Sequence, residues 1–215
     1  MSEEITKDQK GSEESITDII NDIPAFRSIE KKDLVSGLFT FFKHLTYEEK
    51  EILVILFNSE YALSVRQIRK KYSIRVASYL TTSTDLKFFY NDIIKKLPFL
   101  SKEIKSDLEC IPNFKLLSVL ENMTDVQVDK FVSVINKISS RKVPSYETIR
   151  NILESFEKQG IVKKREVKKK RIEILWFLSP RFLKLLMYVI EEIKNKKENA
   201  SPIENEIIKI LYGKF

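Results

Sequence analysis

The chain has 215 residues, 43% of them apolar, and a net charge of +7, enough for one large domain or two small ones around a real core. Its single cysteine, Cys110, excludes an internal disulfide and a cysteine metal cluster, and its single histidine, His44, argues against histidine metal sites and His-based triads. No apolar run approaches ~18 residues and the N-terminus has no signal pattern, so the expectation is a soluble cytoplasmic or nucleoid-associated protein, with no membrane segment, no cofactor, no small-molecule ligand and no enzymatic motif.

With four glycines, six prolines and many Lys, Ile, Leu and Glu residues, the chain should be mainly α. Residues 1–22 hold seven acids and two lysines, a net of −5, and are expected to be a disordered tail, within which Ile16, Ile19 and Ile20 can begin a short helix ending before Pro24. Helical periodicity runs over 32–45, with Leu34, Leu38, Phe41 and Phe42 on one face. Thr46 with Glu49 is a capping pair for a nearly all-apolar helix to about Asn58. Ser64 caps a helix over 65–72, with Ile68 inward and Arg66, Arg69, Lys70 and Lys71 outward.

Residues 73–84 are mixed and end in a Thr/Ser breaker. Further helices are expected over 85–97, 101–109 and 114–123. Thr124 caps another over 125–139, whose apolar face is Val126, Val128, Phe131, Val132, Val134, Ile135 and Ile138. The most informative stretch is Val143–Leu178. Ser145 begins a helix in which Ile149, Ile152, Leu153 and Phe156 face a core, and Gly160 can supply the left-handed residue that ends it. The opposite face carries Tyr146, Glu147, Arg150, Asn151 and Glu154. Residues 163–171 hold seven bases in nine, and Ile172–Phe177 returns as an apolar strand. Trp176 and Phe177 read as core on both faces of that strand.

Residues 141–171 carry eleven bases and four acids, a net of +7 that equals the whole chain's excess. A basic block beside a helix with exposed Arg and Asn is an electrostatic footprint for nucleic acid. Arg150 and Asn151 have the chemistry to read guanine and adenine in the major groove. Ser145 and Thr148 sit where helix N-terminal amides can meet phosphate, although Ser145 is equally a cap, Thr148 a turn residue and Tyr146 core-edge filler. Lys163, Lys164, Arg165, Lys168, Lys169, Lys170 and Arg171 form the backbone-contacting set, not all of which can point one way.

The pattern Ser145-x-x-Thr148-Ile149-Arg150-Asn151-Ile152-Leu153-x-x-Phe156-x-x-x-Gly160-Ile161-Val162 is similar to the recognition helix and first wing strand of the winged helix-turn-helix DNA-binding superfamily. The resemblance implies a winged helix-turn-helix with one β-hairpin wing, a recognition helix (145–159) in the major groove and a basic wing (163–171) on the backbone. It fits the chain in two ways. Residues 46–72 can supply the first two helices, with some seventy inserted residues before the recognition helix. Alternatively, residues 112–178 form a contiguous winged helix and 23–111 a separate helical domain, itself a degenerate helix-turn-helix. Sequential elements usually neighbour each other, which favours the contiguous form.

Ser179-Pro180 and Ser201-Pro202 start two C-terminal helices within 179–215. The first has a wide apolar stripe to bury, on its own domain or on a second subunit, and the resemblance implies a homodimer as an option. The expected function is sequence-specific binding of double-stranded DNA, most simply as a transcriptional regulator. An origin binder in replication or plasmid or virus maintenance uses the same surface. A winged-helix protein-interaction module is the reading from another class, and the strongly basic wing argues against it.

Overall fold

The computed structural model describes residues 15–83, 97, 121–168, 172–196 and 200–212. In chain order these form α1 (Ile16–Asp22), a 3-10 turn (Lys31–Asp33), α2 (Leu34–His44), α3 (Tyr47–Phe57), β1 (Leu63–Ser64) and α4 (Val65–Ser83). They continue with α5 (Asp125–Ile138), α6 (Tyr146–Lys158), β2 (Val162–Lys168), β3 (Ile172–Leu178), α7 (Pro180–Asn195) and α8 (Pro202–Leu211). The helices expected over 85–97, 101–109 and 114–123 lie wholly or mostly outside the described residues, as do the first fourteen residues and Lys169, Lys170 and Arg171 of the hairpin tip.

Helix starts follow the capping chemistry of the sequence. Thr46 and Thr124 each accept a hydrogen bond from the backbone three residues on, and Glu49 and Gln127 reach back to the cap amide. Ser15 does the same with Asp18, so residues 15–22 are a capped helix with Ile19 and Ile20 buried, which corrects the tail expected as far as residue 22. α4 runs eleven residues beyond its expected end at Tyr72. Tyr72, Val76 and Ala77 are buried along it, and the Ser73 and Ser78 hydroxyls donate to the carbonyls of Lys70 (2.8 Å) and Ile74 (3.0 Å), so these serines do not compete for the helix backbone.

The end of α6 is a Schellman motif. Gly160, at φ +74°, donates to Glu157 O (3.0 Å), and Ile161 donates to Phe156 O (2.9 Å). The chain then enters a three-stranded antiparallel sheet in the order β1-β3-β2. Val162 pairs with Leu178, Lys164 with Trp176 and Lys168 with Ile172, while Leu63 of β1 pairs with Trp176 from the other side. The long hairpin therefore overhangs a strand of only two residues.

That pairing joins the early helices to the hairpin. β1 immediately precedes α4, and α4 packs on α3, α5 and α6, so residues 47–83 and 146–178 share one sheet and one core. The described residues before and after the break expected near residue 111 pack together, with α3 and α4 against α5, α6 and β3. Backbone pairing across more than a hundred residues overrides the tendency of sequential elements to neighbour each other. The result is a mainly helical fold with a small antiparallel sheet, compatible with a winged-helix layout.

The C-terminal helices close the molecule. α7 buries Phe182, Leu185, Leu186, Val189, Ile190 and Ile193 within its own chain, packing on α1. Phe26, Phe41 and Phe182 join there, with ring centroids 5.3 to 6.2 Å apart. The stripe that suggested a homodimer is thus covered by the same subunit. α8 packs on α2 and α3, burying Ile207, Ile210 and Leu211, with Glu204 inward and Ile203 39% exposed. Glu204 is buried because it accepts from the Ser201 amide (2.6 Å) and pairs with Lys196 (2.5 Å). No helix among the described residues is long and apolar enough to cross a membrane.

Candidate nucleic-acid interface

The α6 helix is seated by a clamp at its N-terminus. Arg69, on α4, donates to Pro144 O (3.2 Å), pairs with Asp129 of α5 and lies over the Tyr146 ring at 4.3 Å. The Tyr146 hydroxyl donates to the same Asp129 oxygen (3.1 Å). Partial burial, then the Asp129 hydrogen bond, hold this phenol above its ordinary pKa against the lowering effect of Arg69. Ser145 accepts from the Thr148 amide (3.0 Å), and the two hydroxyls are 2.8 Å apart. Ser145, Tyr146 and Thr148 are therefore occupied in building the helix start.

A second anchor holds the loop before α6. Arg141 lies over the rings of Tyr47 (4.7 Å) and Tyr79 (4.3 Å) and donates to the Tyr47 hydroxyl (2.9 Å). Both tyrosines donate to Glu51, fully buried on α3, at 2.9 and 3.0 Å, and Arg75 pairs with it at 2.5 Å. Sequence reasoning missed both anchors. Their partners lie up to 94 residues apart, and no local spacing announces them.

One and two turns into α6 the picture changes. Arg150 and Asn151 are exposed, and neither has a hydrogen bond or ion pair among the described residues. Ile149, Leu153 and Phe156 behind them are fully buried, which fixes the direction of that polar face. Arg150 lies in line with Tyr146 and Glu154 along one wall of a cleft of about 1160 Å³. The facing wall is the hairpin, through Lys164, Ile172, Ile174 and Trp176. Arg150 and the wing thus border one concave surface, with the helix on one side and the hairpin on the other.

The hairpin bases sort by strand register. Lys164 and Lys168 share the cleft-side face with Trp176 and Ile172, while Lys163 and Arg165 lie on the other face. Lys164 pairs with Glu157 (2.8 Å), a hydrogen bond that raises its pKa, and stands over the buried Trp176 ring at 5.6 Å. Lys163, Arg165 and Lys168 are exposed and without a partner among the described residues. Trp176 is 2% exposed and Phe177 half-buried, in keeping with core roles, but Ile172 and Ile174 of the same strand are 65% and 43% exposed. Val126 of α5, expected on that helix's apolar face, is 66% exposed and lines the same cleft.

The structure therefore divides the candidates. Ser145, Tyr146, Thr148 and Lys164 have partners, Arg150, Asn151, Lys163, Arg165 and Lys168 are unengaged, and Lys169, Lys170 and Arg171 lie outside the described residues. No group of three or more His, Cys, Asp or Glu residues among the described residues could hold a metal ion. Comparison with family models, with curated proteins and with solved structures returned no match.

Proposed function

We propose that this chain is a winged helix-turn-helix protein that binds double-stranded DNA, with α3, α4 and α6 as its three helices and the β2–β3 hairpin as its wing. α6 enters the major groove and presents Arg150 and Asn151 to base edges, while the wing lies along the backbone. One observation carries this reading. Arg150 and Asn151 are exposed on α6 without a partner among the described residues, as are Glu147 and Glu154 of the same face, beside a hairpin whose Lys163, Arg165 and Lys168 are unpartnered as well. Unpaired guanidinium and amide groups on a rigid helix are available at no cost of breaking internal bonds. The free lysines and arginine can displace counterions from phosphates, which supplies affinity without specifying sequence.

A role as a transcriptional regulator is the simplest form of this function, and an origin-binding role uses the same surface. The positions of bound sites in a genome, at promoters or at an origin, separate the two. The apolar stripe of α7 is buried within its own chain, while Leu183 and Met187 of the same helix are exposed, and a homodimer stays an option that the resemblance implies. The direct test is titration of the full chain against labelled duplex and single-stranded DNA at low salt. The reading expects duplex binding that weakens as salt rises, and a failure to bind any duplex better than about micromolar would reject it.

A further inference from the structure

We infer that the cleft between the hairpin and α6 seats the deoxyribose side of one DNA strand, and that its aliphatic wall discriminates against a 2′-hydroxyl. The inference rests on the duplex-binding reading above and adds a substrate preference to it. Ile172, Ile174 and Val126 are among the most exposed large apolar side chains of the described residues, and all three line this one cleft. β1 ends with Ser64 opposite Leu175, so the outer half of β3 carries its isoleucines beyond the cover of that strand. A lone exposed isoleucine is ordinary, but three aliphatic side chains gathered in one concave surface mark a contact site.

Charge indicates what lies there. Arg66 pairs with Asp125 (2.9 Å), Asp129 is held by Arg69 and Tyr146, and Lys164 is held by Glu157. With Glu154 and Glu173, the described cleft lining holds four acids and three bases, and of the bases Arg150 alone is unpaired, so phosphates gain little by entering beyond it. Free cations stand beside the aliphatic wall instead: Arg150 on α6, and Lys168 directly opposite Ile172 in the strand register. A nucleic-acid strand matches that alternation, with charged phosphates toward the two cations and the carbon face of the sugar against isoleucine and valine. Ribose adds a hydroxyl that both donates and accepts hydrogen bonds, and pressed against an aliphatic wall it finds no partner.

The test uses the full chain and a duplex recovered by selection from a random pool, with single deoxyribonucleotides replaced one at a time by ribonucleotides. Binding should weaken about fivefold at one or two adjacent positions of one strand and stay unchanged elsewhere. The Ile172→Ser/Ile174→Ser variant should lose that positional penalty while keeping its melting temperature, since both side chains are exposed. A flat ribonucleotide scan with the wild-type chain, or an undiminished penalty in the serine variant, overturns the inference and leaves duplex binding standing. Absence of duplex binding by the wild-type chain overturns the parent reading instead.

Discussion

Replacing the hairpin bases one face at a time tests which side of the wing lies on DNA. Each phosphate contact makes the slope of log affinity against log salt steeper by about 0.9, which over a fourfold rise in salt is about 3.5-fold in affinity. Lys168 is unpaired and shares its face with the cleft bordered by Arg150, so Lys168→Ala should make the slope shallower by about 0.9. Lys163 and Arg165 are equally free but lie on the other face of the hairpin, so their double alanine variant should leave the slope nearly unchanged. Lys164 already has Glu157 at 2.8 Å, and Lys164→Ala should change the slope by well under one contact. Fluorescence anisotropy titrations of one duplex at several salt concentrations give all three values. If the Lys163/Arg165 variant loses more slope than Lys168→Ala, the wing lies on DNA by its other face and the cleft is not part of the interface.

Other expectations concern the scaffold beneath this surface. Glu51→Ala strips the acceptor from two tyrosines and the counter-charge from Arg75, and should lower unfolding free energy in urea by about 3 kcal/mol, the low end for a broken buried pair because Arg75 keeps 27% exposure. An unchanged urea midpoint would mean the network does not hold the fold. Burial first, and for Tyr47 and Tyr79 the Glu51 charge next, push the phenols of Tyr47, Tyr72, Tyr79 and Tyr146 above their ordinary value. Their raised folded pKa contributes stability that is fully present below about pH 10, where unfolded tyrosine titrates, and that falls as pH rises beyond it. In an absorbance titration these four phenols should ionise later than free tyrosine, and their ionisation at the free-tyrosine midpoint while the helical signal persists would contradict the assignment. Gly160→Ala forces an L side chain to φ +74° and sets its Cβ 2.6 Å from Pro24 Cδ, so thermal unfolding should report a loss of at least about 1–2 kcal/mol. An unshifted melting temperature would show that the Pro24 turn yields freely.

Much of the local structure was legible because its causes are local. Thr46 with Glu49, Thr124, Ser145, Ser179 and Ser201 announced helix starts through side chains that satisfy amides two or three residues away. Gly160 announced the end of α6, and the base-rich run 163–171 announced the hairpin. The arrangement of the two halves was not legible, because β1 is two residues long and its pairing with Trp176 is a backbone event with no side-chain signature. The length of α4 was hidden by the mixed composition of 73–84, in which the Ser73 and Ser78 hydroxyls fold back on the helix. For the site, residue type gave Arg150, Asn151 and the wing, but it could not tell a free side chain from an engaged one. Tyr146 and Lys164 were assigned to DNA on the same grounds as Arg150, and only the positions of Asp129 and Glu157 distinguish them. Ile172 and Ile174 alternate in phase with Trp176 along the apolar strand, yet β1 ends before it can cover them.

The central claim is that the free side chains of α6 read base pairs. Selection of duplexes from a random-sequence pool, run in parallel with the wild-type chain and with Asn151→Ala, tests it most directly. The account predicts that the wild-type chain enriches a defined motif and that the variant binds with similar stability but loses preference at one position of it. Enrichment of no motif by the wild-type chain, or the same motif at undiminished strength from the variant, would contradict it.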